Sequence, residues 1–179
     1  GMNAIVLDIN QGAWKLETER GVIMDGDKSE HILEAIPVIG SYCDIIGVRS
    51  FAKFEKKSDD YEEVIINQFI KYSGRPVISL ESATVHPLQS YADLITIEEY
   101  KKCEKPKVVL TWAPHPKSLP QAVANSFSEW MNRTDYEFVI THPKGYELDE
   151  KFVQGARVEY DQEKAFEGAD FIYAKNWSV

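Results

Sequence analysis

Cysteine is nearly absent: Cys43 and Cys103 are the only two in 179 residues. Thiols so widely spaced fit neither a metal-ligand pattern nor a disulfide framework, and they read as reduced thiols of a cytoplasmic protein. Basic residues are scarce as well, 20 Lys and Arg against 29 Asp and Glu, for a net charge of −9. A phosphate backbone repels such a surface, so no nucleic-acid partner is expected. No run approaches the ~18 consecutive apolar residues of a membrane-spanning helix. The start, Gly1-Met2-Asn3, shows no basic segment leading into an apolar one, so neither a signal peptide nor a membrane partner is expected. Gly-x-Gly-x-x-Gly and Walker loops are missing, which leaves a dinucleotide or NTP site without support. There is no Gly-x-Ser-x-Gly elbow, and no histidines and carboxylates stand at metal-ligand spacing, so neither metal nor cofactor is expected.

What is present is the makeup of an ordinary globular chain, with enough aromatic residues for a sizeable core. At ~150 residues per domain its length predicts one large domain or two small ones. Short β-type runs alternate with amphipathic stretches. The runs are Ala4–Ile9, Asp44–Val48, Pro76–Leu80, Lys107–Trp112, Tyr136–Thr141, Arg157–Tyr160 and Asp170–Ala174. Most are nearly continuous in Val, Ile, Leu and Phe, as strands covered on both faces of a parallel sheet would be. Helices are expected over Tyr61–Tyr72, Gln89–Lys102 and Ser118–Asn132, the last opening on the capping box Ser118-Leu119-Pro120-Gln121. His31 falls in a further helical stretch, as a surface or core residue, and the charged run Phe54–Asp60 reads as a solvated loop. The alternation predicts an α/β fold with mostly parallel sheets flanked by helices. A charged, proline-containing turn at Cys103-Glu104-Lys105-Pro106 suggests a two-lobed molecule; one continuous sheet is the competing arrangement.

In open α/β sheets ligands bind beyond the carboxyl ends of the strands. Residues just past the expected strands include Arg49, Glu81, His86, Gln89, His115, His142 and Lys175. An acidic chain that collects histidines and an arginine on one rim offers a local site for an anion. Each His-Pro pair can also be a plain turn, the reading preferred for His142. His86 differs because Pro87 can open a helix, aiming His86, Gln89 and free amides at the crevice. Arg49 suits a bidentate oxyanion contact, or a pairing with a neighbouring carboxylate. Trp14, in Asn10-Gln11-Gly12-Ala13-Trp14, suits a core anchor, an interface or a lid over a ligand.

Thr84-Val85-His86-Pro87-Leu88-Gln89-Ser90-Tyr91-Ala92-Asp93-Leu94 resembles the His-Pro-x-Gln...Ala-Asp signature of aspartate and ornithine carbamoyltransferases. Arg49 after its strand fits the same family. The stretches around Leu7–Trp14, Thr111–Pro116 and Ala165–Asp170 are similar to the branch acting on N-acylated ornithine, above all N-succinylornithine. The resemblance covers essentially the whole chain. It implies residues 1–88 as part of a carbamoyl-phosphate-binding domain, 89–105 as a linking helix and 106–179 as part of an acyl-ornithine-binding domain. It implies transfer of a carbamoyl group from carbamoyl phosphate to the δ-amine of an N-acylated ornithine in arginine biosynthesis, without a cofactor. Arg49 and His86 would be the catalytic residues, holding carbamoyl phosphate with Gln89. Glu81, His115 and Asn125 would line the acyl-ornithine pocket, and Trp14 would reach into the neighbouring subunit of a homotrimer. Ser29 falls in what resembles the acyl-selecting loop, where the family carries proline in succinyl-type and glutamate in acetyl-type enzymes. Gln121-Ala122 stands where ornithine enzymes carry an asparagine pair, against free ornithine as substrate.

The family's Ser-x-Arg-Thr phosphate loop, Cys-Leu-Pro segment and closing helix do not occur in these 179 residues. The resemblance therefore implies a fold incomplete at both ends and a chain with little or no turnover by itself. Alternatives at this point are an N-acetylornithine enzyme, a non-catalytic relative, and a generic anion-binding α/β module.

Overall fold

The computed structural model describes residues 1, 3–9 and 14–178. In chain order the first elements are β1 (Leu16–Glu17), β2 (Glu30–His31), α1 (Ile32–Ser41), β3 (Ile46–Arg49), α2 (Lys57–Tyr61), α3 (Val64–Tyr72) and β4 (Val77–Glu81). They are followed by α4 (Pro87–Tyr100), β5 (Lys107–Trp112), α5 (Ala122–Met131), β6 (Glu137–Thr141), α6 (Glu150–Val153), β7 (Arg157–Val158), α7 (Gln162–Phe166) and β8 (Phe171–Lys175). Among the described residues the strands form three sheets rather than one: β1 with β2, β3 with β4, and four parallel strands in the order β7-β6-β5-β8. Two compact units result, one of residues 1–47 and 64–78, the other of 48–63 and 79–179.

The second unit holds the larger core. β5 is central, and its alternation sends Val108 and Leu110 to one face and Val109 to the other. The first face packs on Phe127 and Met131 of α5, with Ile97 of α4 and the fully buried Trp177. The second packs on Ala165 of α7. Both faces of β5 are covered, so it can be apolar throughout, whereas the edge strand β8 leaves Ile172 exposed. Helix α5 is buried nearly all round, with α4 and α6 as its neighbours. In the first unit Leu16, Ile32, Ala35, Ile36, Ile66 and Phe69 are buried. Helix α1 approaches the end of α3 so closely that a Cβ on Gly40 would lie 2.2 Å from the Ser73 carbonyl oxygen.

Several expectations are corrected. Ala4–Ile9 forms no strand: residues 3–8 are irregular, with Ile5 82% and Val6 91% exposed. An apolar run becomes a strand only with a pairing partner, and none of the described sheets includes it. Coverage on both faces also fails for β3 and β4, where Ile78 and Leu80 remain exposed. The helix expected over Tyr61–Tyr72 is broken into α2 and α3 at Glu63, whose φ of 50° is left-handed. The run Phe54–Asp60 is not all loop, since Lys57–Asp60 belong to α2, and Asp60 accepts the Lys53 and Phe54 amides. His31 ends β2 and caps α1, its Nδ1 accepting from the Leu33 amide. The capping box at Ser118 does not form; α5 starts at Ala122 with no side-chain cap. Leu119 is instead bound to Ser178 through both its amide and its carbonyl.

Candidate active site

The second unit brings Arg49, Glu81 and His86 together at the ends of β3 and β4 and the start of α4. Arg49 is the last residue of β3 and Glu81 the last of β4, with the Ser50 amide donating to the Glu81 carbonyl at 2.9 Å. Glu81 Oε2 accepts from Arg49 Nε at 3.1 Å and Nη2 at 2.8 Å. The same oxygen lies 3.7 Å from His86 Nε2. The Glu81 side chain is only 10% exposed, whereas that of Arg49 is 57% exposed, its guanidinium over the Phe51 ring at 4.9 Å. Arg49 is thus paired with a carboxylate, one of the two readings its position allowed, and is still open to solvent.

Helix α4 starts as its sequence predicts, with His86 at the N-cap position and Pro87 in the first turn. The His86 amide donates to Ser126 Oγ at 2.7 Å, while its Nδ1 is buried without a partner. The turn between Glu81 and His86 is clamped from below. Glu63 Oε1 accepts from Ser82 Oγ at 2.6 Å, the Thr84 amide at 2.8 Å and Thr84 Oγ1 at 2.5 Å. The left-handed backbone at Glu63 that interrupts the helix therefore accompanies a carboxylate turned onto this turn. Asn125, fully buried on α5, donates to the Thr84 carbonyl at 3.1 Å and to the Tyr61 hydroxyl at 3.3 Å. Tyr61 in turn donates to Gln121 Oε1 at 2.5 Å, and burial pushes its hydroxyl pKa up.

Gln89, in the first turn of α4, donates through Nε2 to the Tyr173 hydroxyl at 2.8 Å. Burial raises the Tyr173 pKa, with the nearby Asp93 carboxylate adding to the shift. Burial also raises that of Asp93, against a lowering by the Tyr173 hydroxyl. His115 is exposed and its ring Nδ1 accepts from the Lys117 amide at 3.1 Å, a contact within its own loop. His142 is more than a turn residue: it is buried, with its ring edge-on to Tyr160 and Trp177.

Trp14 and Ser29 belong to the first unit. Trp14 is half-buried and its Nε1 donates to Glu30 Oε2 at 2.9 Å; Ser29 is exposed and its amide donates to the Lys15 carbonyl at 2.9 Å. The loop residues Asn10–Ala13 lie outside the described residues. Sequence reasoning missed Glu63, Tyr173 and Ser126. Thr84 and Asp93 stood inside the quoted His-Pro segment without a role. Among the described residues no group of three or more His, Cys, Asp or Glu side chains could hold a metal ion, and no helix is long and apolar enough to cross a membrane.

Residues 1–99 match the family described as aspartate/ornithine carbamoyltransferase, carbamoyl-P binding domain. Over all 179 residues the chain is 82% identical to an N-succinylornithine carbamoyltransferase of Bacteroides fragilis (strain 638R) and 78% identical to one of Bacteroides thetaiotaomicron, and it spans 56% of the length of each. An N-acetylornithine carbamoyltransferase of Xanthomonas campestris pv. campestris is 39% identical, with 100% of this chain and 57% of that protein covered. Among solved structures, acetylornithine transcarbamylase complexed with acetylcitrulline matches at a TM-score of 0.89 and 39% identity, covering 97% of this chain and 56% of the other.

Proposed function

Because the chain belongs to the aspartate/ornithine carbamoyltransferase family, we propose that the protein transfers the carbamoyl group of carbamoyl phosphate to the δ-amine of N-succinyl-L-ornithine. The products are N-succinyl-L-citrulline and phosphate. The choice of acyl group is supported by the two relatives named for N-succinylornithine, which are twice as similar as those named for N-acetylornithine. In this reading the reaction belongs to arginine biosynthesis and runs in the cytoplasm, in keeping with the names of the relatives. Within this reading residues 1–88 belong to the carbamoyl-phosphate domain, 89–105 form the linking helix and 106–179 belong to the acyl-ornithine domain. The assembly is a homotrimer in which Trp14 serves a neighbouring subunit.

The observation that carries the chemistry is the convergence of Arg49, Glu81 and His86 beside the first turn of α4. In the reaction the δ-nitrogen lone pair attacks the carbamoyl carbon, a C–N bond forms, and the bond from that carbon to the bridging oxygen breaks. Phosphate leaves with the electron pair and takes up the proton that the attacking nitrogen loses. Arg49 offers a planar fork of donors to the phosphoryl oxygens. His86 and the free amides of α4 donate toward the carbonyl oxygen, where negative charge develops. Gln89 contacts the carbamoyl group. Glu81, a poorly solvated carboxylate beside the Arg49 guanidinium, accepts a hydrogen bond from the neutral δ-amine and turns its lone pair toward the carbamoyl carbon. His115 contributes to the acyl-ornithine side, and Ser29 to the choice of acyl group. Asn125, fully buried, acts on the acyl-ornithine side only through the Thr84 carbonyl and Tyr61 hydroxyl that it holds.

Titration of the full-length protein with carbamoyl phosphate and with inorganic phosphate tests this reading. Tighter binding of carbamoyl phosphate, lost in both Arg49→Ala and His86→Ala, is the expected result. Equal affinity for the two ligands would reduce the site to a general anion-binding module.

A further inference from the structure

We propose that Tyr173, with Asp93 behind it, is a positioning residue that fixes which end of the Gln89 side-chain amide is offered to carbamoyl phosphate. The inference rests on Gln89 being a carbamoyl-phosphate ligand, as in the function proposed above. Gln89 Nε2 donates to the Tyr173 hydroxyl oxygen at 2.8 Å across 84 residues of sequence. The Tyr173 ring is stacked on Phe127, with centroids 4.1 Å apart and planes 12° from parallel. Phe127 is fully buried, so the phenol oxygen is held in place. Asp93 lies one helical turn after Gln89, on the same side of α4. Its carboxyl interacts with the same hydroxyl. Its Oδ2 is buried and has no hydrogen-bond partner. Of the groups that favour this carboxylate the Tyr173 hydroxyl, which hydrogen-bonds it, acts most strongly, ahead of His86 and Lys175.

Proton counting then sets the direction of the chain. A phenol has one proton, and a carboxylate can only accept. The Tyr173 proton therefore faces Asp93, and the phenol oxygen is left as an acceptor that only the NH2 end of Gln89 satisfies. With that end committed, Gln89 turns its Oε1 outward. A carbamoyl group carries NH2 where an acetyl group carries CH3, so an outward amide oxygen gains a hydrogen bond from carbamoyl phosphate and none from acetyl phosphate. Tyr173 and Asp93 thus act through Gln89 on recognition of the carbamoyl group, separately from the phosphoryl contacts of Arg49. If Tyr173 were apolar, the Gln89 amide would be free to rotate and to present either end.

The test is made in the full-length protein with Tyr173→Phe, which keeps the stacked ring and removes one oxygen. The KM for carbamoyl phosphate should rise about five- to tenfold, the loss of one hydrogen bond, with kcat changed by less than about twofold. Competitive inhibition by acetyl phosphate and by inorganic phosphate should be unchanged. In a Gln89→Ala background the same substitution should add nothing. An unchanged KM overturns the proposal, as does an equal loss of affinity for all three ligands, or an effect additive with Gln89→Ala. If Tyr173→Phe does not fold, Asp93→Ala frees the phenol proton to meet Oε1 and should lower the carbamoyl-over-acetyl preference in the same way; an unaltered preference overturns the proposal. A Gln89→Ala protein with wild-type KM for carbamoyl phosphate would instead overturn the assignment of Gln89 itself.

Discussion

One oxygen of Glu81 holds Arg49 twice, accepting from Nε at 3.1 Å and Nη2 at 2.8 Å. Both side chains come from the last residues of neighbouring strands, so the sheet sets their separation. The guanidinium is oriented before any anion arrives, and the remaining donors of its fork face a half-open surface.

Arg49→Ala should lower kcat/KM in the full-length protein by about 100-fold or more, because a charged, paired donor set is lost and Glu81 is left without its cation. Arg49→Lys retains the charge without the fork and should recover only a small part of the loss. Steady-state kinetics against carbamoyl phosphate, with circular dichroism as a check on folding, measure this. Wild-type activity in Arg49→Ala would contradict the role given to Arg49.

Glu63→Ala removes the acceptor shared by Ser82 and Thr84. Donors left without a partner cost about 1–3 kcal/mol when buried, and these are partly so. Urea denaturation should show a loss within that range, and the KM for carbamoyl phosphate should rise because the turn carries Glu81 at one end and His86 at the other. A loss of stability with unchanged KM would mean the turn is not part of the site.

The Asp93 carboxyl is raised above its ordinary value of 3.8, chiefly by burial. A raised folded-state pKa stabilises the fold below the ordinary value, and that contribution is lost as pH rises through the folded one. Asp93→Asn, which does not ionise, should therefore gain stability relative to wild type as pH rises from about 3 to about 7. Chemical denaturation of both proteins across that range checks the sign; a difference that runs the other way would mean Asp93 is better compensated than its surroundings indicate.

Gly40→Ala should destabilise the first unit by about 1–3 kcal/mol, the usual cost of inserting a methyl group into a packed contact. The added Cβ would meet the Ser73 carbonyl oxygen at 2.2 Å, which forces α1 and the end of α3 apart. Denaturation midpoints report this directly, and a midpoint equal to wild type would show that the two segments shift freely.

Strands β5 and β6 were legible because they are short apolar runs whose covered faces require little but Val, Ile, Leu and Phe, and β8 is a similar apolar run although Ile172 is exposed. Strands β1 and β2, two residues each, have no length over which a period could register. The interruption between α2 and α3 follows from a contact between Glu63 and a turn some twenty residues later, and local helix signals in Tyr61–Tyr72 hide it. Arg49, Glu81, His86 and Gln89 could be picked out because a general rule points to the ends of strands, and the rule needs only strand positions. Tyr173 and Ser126 could not, because their roles come from hydrogen bonds 84 and 40 residues long in sequence. Nothing in the linear text distinguishes them from other residues of a core strand and a core helix.

The most direct test of the central claim is to incubate the full-length protein with carbamoyl phosphate and, separately, N-succinyl-L-ornithine, N-acetyl-L-ornithine and L-ornithine, and to quantify citrulline products and phosphate together. The account predicts N-succinyl-L-citrulline and phosphate in equal amounts, with kcat/KM highest for the succinylated acceptor and His86→Ala lowering it by about 100-fold or more. Preference for free ornithine, or no product from any of the three acceptors, would contradict it.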